Sequence, residues 1–184
     1  EAGITVEDGS AIALAVDASG SADAVDLCYG THTSPVPMAL PPTNFPEGAL
    51  MNYVDRIHAQ VQHMQLLGIG GIYTPAAAER LLAEGRAELI GMGRALIADP
   101  YWPVKAMAGH AEDITTCIGC LTCFERSSEG ESGRRCSVNP MFGNEREMSY
   151  TPTPAPAPKR VLVVGGGPGG MQAATLRSEE QTSE

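Results

Sequence analysis

Four of the five cysteines in this 184-residue chain crowd into one stretch, Cys117, Cys120, Cys123 and Cys136, spaced C-x2-C-x2-C-x12-C, while Cys28 stands far upstream. Thiols three residues apart suit a shared metal centre better than a covalent staple. Structural zinc usually takes its cysteines as two separated C-x2-C pairs. A triplet at three-residue steps plus one distant Cys is the arrangement that wraps a cubane iron–sulfur cluster. Ile118, Gly119, Leu121 and Phe124 put small or apolar groups around the thiols, which limits water and tunes a redox potential. The spacing favours [4Fe–4S] over zinc, and either metal over inert core thiols.

Two further constellations address phosphate. Gly70-Gly71 and Gly93-Arg94 each follow a short apolar run and precede a helix-like segment that opens at Thr74 or Ala95. Small residues let backbone N–H groups approach an anion, and Arg94 supplies a charge. The plainer reading is that these glycines only permit tight turns. Near the end, Lys159-Arg160 and the β-forming Val161-Leu162-Val163-Val164 lead into Gly165, Gly167 and Gly170, a G-x-G-x-x-G with Ala173 and Ala174 behind it. Strand, glycine turn and small-residue helix in that order seat a dinucleotide pyrophosphate.

The elements that must position these groups alternate along the chain. Thr5 and Asp8 open a capped helix that reaches Ala18 and stops at Gly20. Ala24 to Tyr29 reads as a buried strand with Cys28 as a small core residue. A proline-rich loop from Thr31 to Pro46 leads to a helix over about Ala49 to Gln60. A strand over Gln65 to Ile69 follows, then a helix capped by Thr74-Pro75 and closed by Gly85, and a strand over Ala87 to Met92. Strand–helix alternation with short links gives a parallel α/β sheet, either doubly wound and open or closed as a (β/α)8 barrel. In a barrel the phosphate site lies after strands seven and eight, on the carboxyl face, which would make Ala24 to Tyr29 strand six.

Thr151 to Pro158, TPTPAPAP, cannot join a helix or central strand and forms an extended spacer of roughly 25 Å. The expected organisation is therefore barrel over residues 1–110, cysteine segment over 111–150 and linker over 151–158. A strand–turn–helix over 159–176 then begins a nucleotide domain, and a polar tail occupies 177–184. The tail resembles a translated sequencing adapter, and with Glu at position 1 it leads us to expect a chain truncated at both ends.

Three stretches, GGIYTPAAAERLLAEGRAELIGMGRALIADP, CIGCLTC with Cys136-Ser137-Val138-Asn139-Pro140 behind it, and KRVLVVGGGPGGMQAA, together resemble the iron–sulfur flavoenzymes of the old yellow enzyme superfamily. That group contains 2,4-dienoyl-CoA reductase, 2-enoate reductase and trimethylamine dehydrogenase. The resemblance implies an FMN-binding TIM barrel, a [4Fe–4S] segment and a nucleotide domain holding FAD or ADP, with NAD(P)H as an electron source. It places the FMN phosphate at Gly70, Gly71, Gly93 and Arg94, the cluster on Cys117, Cys120, Cys123 and Cys136, and the dinucleotide at Gly165, Gly167 and Gly170. The C-x2-C-x2-C spacing is similar to the trimethylamine dehydrogenase branch. His32, at the carboxyl end of the sixth strand, aligns loosely with a reductase histidine that delivers a proton; an ordinary loop histidine is the alternative. His58, His63 and His110 read as surface or packing residues.

The implied activity is oxidoreduction of a small molecule, an enoate- or dienoyl-type C=C or a methylated amine. Electrons would pass to a second nucleotide cofactor or an electron-transfer protein. A formal charge of −10, from 12 basic and 22 acidic residues, argues against nucleic acid. The apolar run Ala11 to Val16 is too short for a signal peptide or membrane span, so a cytoplasmic enzyme is expected. A rival reading from another class is a non-catalytic electron-transfer or zinc-stabilised binding module, which would carry no FMN.

Overall fold

A computed structural model describes residues 3–30, 40–124, 134–148, 157 and 160–182, with side chains described as far as 175. His32 and most of the proline-rich linker lie outside these residues. The chain divides into two compact units, Glu1–Asn144 and Glu145–Glu184.

The first unit alternates helix and strand. Helix α1, Val6–Ser19, opens on a capping box in which Asp8 N donates to Thr5 Oγ1 at 3.2 Å and Thr5 N donates to Asp8 Oδ2 at 2.9 Å. It closes on Gly20 in the left-handed region. Strand β1 is Ala24–Asp26, helix α2 is Met51–His58 and strand β2 is Gln65–Gly68. Helix α3, Pro75–Ala83, precedes strand β3, Leu89–Ile90, and the short helices α4, Arg94–Ala98, and α5, Trp102–Met107. The three strands form a parallel sheet in the order β1-β2-β3, with Ala24 opposite Gln65 and Leu67 opposite Leu89. This is the α/β parallel arrangement that strand–helix alternation implies.

The core lies between the sheet and its helices. Met51, Val54 and Ile57 recur at three-residue steps, so α2 buries one stripe against β2 and α1. Met51, Leu66 and Leu81 are fully buried, each worth roughly 1.5–3 kcal/mol. The buried Asp17 carboxylate, near the end of α1, accepts backbone N–H groups from Gln62, His63 and Met64 at 2.8–3.0 Å. Those bonds, led by Gln62, hold its carboxyl below the usual range and tie α1 to the entrance of β2.

Several elements differ from expectation. The strand expected over Ala24 to Tyr29 pairs only at Ala24–Asp26, and it is not buried, since Ala24 and Asp26 are exposed. Residues 27–29 leave the ladder, and Cys28 and Tyr29 turn into a cavity wall, so Cys28 is exposed and not a core residue. The strand expected over Ala87 to Met92 is shortened to Leu89–Ile90, and at its carboxyl end Gly91 and Met92 also line that cavity.

The second unit contains helix α6, Pro168–Thr182. Its backbone runs through the polar tail where a break is expected from sequence, and the run 160–167 forms no strand. A strand needs a neighbour to exchange ladder hydrogen bonds, and none pairs with this run among the described residues. The glycine turn itself is present: Gly165 has φ +109°, and a Cβ on Gly170 would collide with the Gly165 carbonyl.

Candidate functional site

The carboxyl ends of all three strands open on one cavity of about 470 Å³, within the roughly 300–1,000 Å³ usual for ligand pockets. β1 contributes Asp26 and then Cys28 and Tyr29, the turn after β2 contributes Ile69 to Tyr73, and the turn after β3 contributes Gly91 to Arg94. Leu40 and Pro41 close one side, and Phe124, next to Cys123, closes another. Gly70, Gly71, Gly93 and Arg94, singled out from sequence as anion-binding, therefore share one wall.

Backbone geometry explains why glycine stands after β2. Gly70 has φ +111°, and an added Cβ would lie 2.8 Å from Leu50 Cβ, so the turn has neither the conformation nor the room for a side chain.

Arg94 opens α4 and is 9% exposed, with Nη1 donating to the Pro41 carbonyl at 2.8 Å. Its guanidinium carbon stands 5.3 Å from the centre of the Tyr73 ring, and Tyr73 Oη donates to the same carbonyl at 3.2 Å. No carboxylate lies within 4.0 Å of Arg94 among the described residues. A buried cation without a carboxylate partner, on the wall of a cavity, suits an anion. Burial pushes the Tyr73 phenol up, with Arg94 opposing the shift, so Tyr73 stays a neutral donor.

Tyr73 is itself fixed from three sides. Its N–H and that of Thr74 donate to Glu47 Oε1 at 2.5 and 2.8 Å, and Thr74 Oγ1 donates to Glu47 Oε2 at 2.8 Å. Trp102 Nε1 donates to the Tyr73 carbonyl at 2.8 Å. Thr74 also caps α3 through Ala77 N, as its sequence position before Pro75 implies.

The cysteine segment is pinned to α4 at both ends. Asp99, just after α4, is buried and accepts from Lys105 Nζ at 2.6 Å and from Thr115 N at 2.9 Å, two residues before Cys117. Asn139, three residues past Cys136, is buried and donates through Nδ2 to the Ile97 carbonyl at 2.8 Å. Between these anchors the chain turns tightly. Gly119 has φ +63° and Leu121 has φ +64°, a conformation that costs a non-glycine residue about 1–2 kcal/mol.

The four cysteines occupy unlike surroundings. Cys123 is buried, Cys117 and Cys136 are half-buried, and Cys120 is exposed. Burial pushes the Cys117 and Cys123 thiols up, partly opposed at both by the Arg94 charge. Gly119 N donates to Cys117 Sγ at 3.4 Å. Cys120 Sγ lies 3.3 Å from Ser137 Oγ, and the hydroxyls of Ser137 and Thr122 lower its thiol to about 7. Ser137 lies beside Cys136, so this contact brings the distant fourth cysteine to the triplet.

Sequence reasoning missed Tyr73, Pro41, Asp99 and Asn139, which fix the wall and the segment through contacts 16 to 53 residues apart. Asn139 carried a signal of sorts, since it falls within the Cys-Ser-Val-Asn-Pro run. His58 pairs with Glu88 at 2.7 Å and His110 with Glu112 at 3.6 Å, both away from the cavity wall. Among the described residues no helix is long and apolar enough to cross a membrane.

The sequence profile of the NADH:flavin oxidoreductase / NADH oxidase family matches residues 10–113. The chain is 38% identical over 175 residues to the NADH oxidase of Thermoanaerobacter brockii, covering 95% of this chain and 26% of that one. It is 33% identical over 123 residues to the dimethylamine dehydrogenase of Hyphomicrobium sp., covering 65% of this chain and 17% of that one. The solved complex of 2-naphthoyl-CoA reductase with 2-naphthoyl-CoA is similar with a TM-score of 0.82 and 34% identity, over 96% of this chain and 26% of that one. The chain thus spans about a quarter or less of the length of these relatives.

Proposed function

The chain belongs to the NADH:flavin oxidoreductase / NADH oxidase family, and from that membership we propose that it holds the phosphate end of an FMN site and the ligands of a [4Fe–4S] cluster in a larger oxidoreductase. The observation that carries this reading is the convergence of three strand ends, the buried Arg94 and the cysteine segment on one cavity.

β1, β2 and β3 then correspond to strands six, seven and eight of a barrel. Among the described residues β1 and β3 each pair only with β2, so both outer edges are open to the neighbours a closed barrel would supply. The Gly70-Gly71 and Gly93-Arg94 turns present backbone N–H groups and one guanidinium to the phosphate, and Tyr73 keeps that guanidinium in place. FMN, when bound, supplies hydride transfer, and an iron–sulfur cluster supplies one-electron transfer between it and a second carrier. Cys117, Cys120, Cys123 and Cys136 are the proposed cluster ligands. Among the described residues no three of their sulfurs lie within 4.8 Å of one another, whereas thiolates on tetrahedral zinc at about 2.3 Å sit roughly 3.8 Å apart.

The substrate class follows from the relatives' chemistry: an activated C=C to be reduced or a methylated amine to be oxidised at its C–N bond. His32 is the proposed proton donor, and Gly165, Gly167 and Gly170 the proposed dinucleotide turn for FAD or ADP. Anaerobic assays of the full-length protein with an enoyl thioester plus NADH, and with dimethylamine plus an artificial acceptor, test the reading. Turnover of one class with a released flavin that co-elutes with FMN supports it. A full-length protein that binds neither FMN nor any flavin overturns it.

A further inference from the structure

The loop over residues 40–43 touches both halves of the site. At Pro41 its carbonyl receives two donors from the anion wall, Arg94 Nη1 and Tyr73 Oη. Two residues on, Thr43 Oγ1 donates to the Ile118 carbonyl, inside the turn between Cys117 and Cys120. The backbones also pack directly: an added Cβ on Gly119 would lie 2.8 Å from Thr43 N and 3.2 Å from the Pro42 carbonyl carbon. Only glycine at position 119, with φ +63°, lets the cysteine turn approach that loop so closely.

We propose that this loop links the two cofactor sites mechanically, with Thr43 as the positioning residue, so that an anion held by Arg94 stabilises the Cys117–Cys120 turn. The inference rests on the FMN and cluster reading above. The physical route is short. An anion drawn to Arg94 and the glycine turns fixes the guanidinium, and the guanidinium fixes the Pro41 carbonyl. Pro41 sets where Thr43 can donate, and Thr43 holds the Ile118 carbonyl between two cluster ligands. A ligand that orders one end lowers the cost of ordering the other, which is positive coupling. The link acts on retention of the cluster and does not need turnover.

The test measures iron release from anaerobically purified full-length protein to a ferrous chelator, with FMN bound and after FMN has been removed. In the parent protein FMN slows release by about fivefold or more, the lower end of ordinary coupling between sites. Thr43→Val and Gly119→Ala each reduce that protection to about onefold while the FMN-bound absorbance band persists, and Thr43→Ser restores it. Retained protection in both Thr43→Val and Gly119→Ala overturns the link while leaving the cofactor reading intact, and equal release with and without FMN in the parent does the same. A parent protein with no iron or sulfide to release overturns the cofactor reading and this inference with it. The electron paramagnetic resonance signal of the dithionite-reduced cluster gives a second readout, since a loosened turn broadens it in Thr43→Val and not in Thr43→Ser.

Discussion

The buried carboxylate of Asp99 accepts the backbone N–H of Thr115 at 2.9 Å, so the end of a short helix on the cavity wall fixes the entry to the cysteine segment. The same carboxylate receives Lys105 Nζ at 2.6 Å, and Lys105 also donates to the Asp113 carbonyl at 2.8 Å. Asp99→Ala removes the carboxylate that accepts from the Thr115 and Tyr101 backbone N–H groups and leaves the Lys105 ammonium only the Asp113 carbonyl. It is expected to cost about 2 kcal/mol and to lower iron content before it lowers flavin content. Denaturant unfolding of the cofactor-free protein and metal analysis of the loaded one check the two halves of this expectation.

Acid should loosen the same joint. Burial raises the Asp99 carboxyl, but Lys105, Thr115 and Tyr101 together outweigh it, and the net position is below the usual carboxylate range. A group depressed in the folded state contributes stability above its unfolded value, about 3.9, and loses it as pH falls through the folded value. The parent protein is therefore expected to lose more stability than Asp99→Asn between about pH 5 and pH 3. Thermal melts of both proteins across that range measure the difference, and parallel curves would contradict it.

In the proposed site Arg94 would meet the anion by charge and by its fork, and its guanidinium is held at Nη1 by Pro41 and stacked on Tyr73. Arg94→Ala is expected to weaken FMN binding about 10- to 100-fold, the loss of one charge-assisted hydrogen bond at roughly 1.5–3 kcal/mol. Arg94→Lys should recover part of that loss and not all, because an ammonium cannot bond Pro41 and the anion in the same planar geometry. Fluorescence titration of flavin-stripped full-length protein gives both constants.

Gly70 tests the wall without touching a charge. Gly70→Ala must accommodate φ +111° and a contact of 2.8 Å with Leu50 Cβ. The expected cost is about 1–3 kcal/mol, with FMN affinity falling as the turn shifts. Gly85→Ala is the control, since it too has a positive φ, +64°, but meets nothing within 4 Å and lies away from the cavity. An equal loss of FMN affinity in the control would mean that the wall geometry is not what matters.

How far the molecule could be read in advance depended on the range of each interaction. Thr5 with Asp8, Thr74 with Pro75, and Gly20 act over three or four residues, and the structure places the helix ends where those residues imply. Strand ends were less legible, because Cys28, Tyr29 and Met92 continue apolar strand-like runs yet leave the sheet to line a cavity. The Val161 to Val164 run has the composition of a strand and lacks a partner among the described residues to make it one. Glu47 and Asp99 gave no local signal, and Asn139 gave only its place in the Cys-Ser-Val-Asn-Pro run. Each acts by bonding backbone groups 16 to 42 residues away, and such pairings exist only once the chain has folded.

One chain is proposed to carry both a flavin phosphate site and cluster ligands. The most direct measurement is iron, acid-labile sulfide, zinc and flavin per polypeptide in the anaerobically purified full-length protein. The expected result is about four iron and four sulfide with one FMN, and loss of the iron and sulfide but not the flavin band in Cys123→Ala. Stoichiometric zinc with no sulfide and no flavin would rule out both cofactor sites.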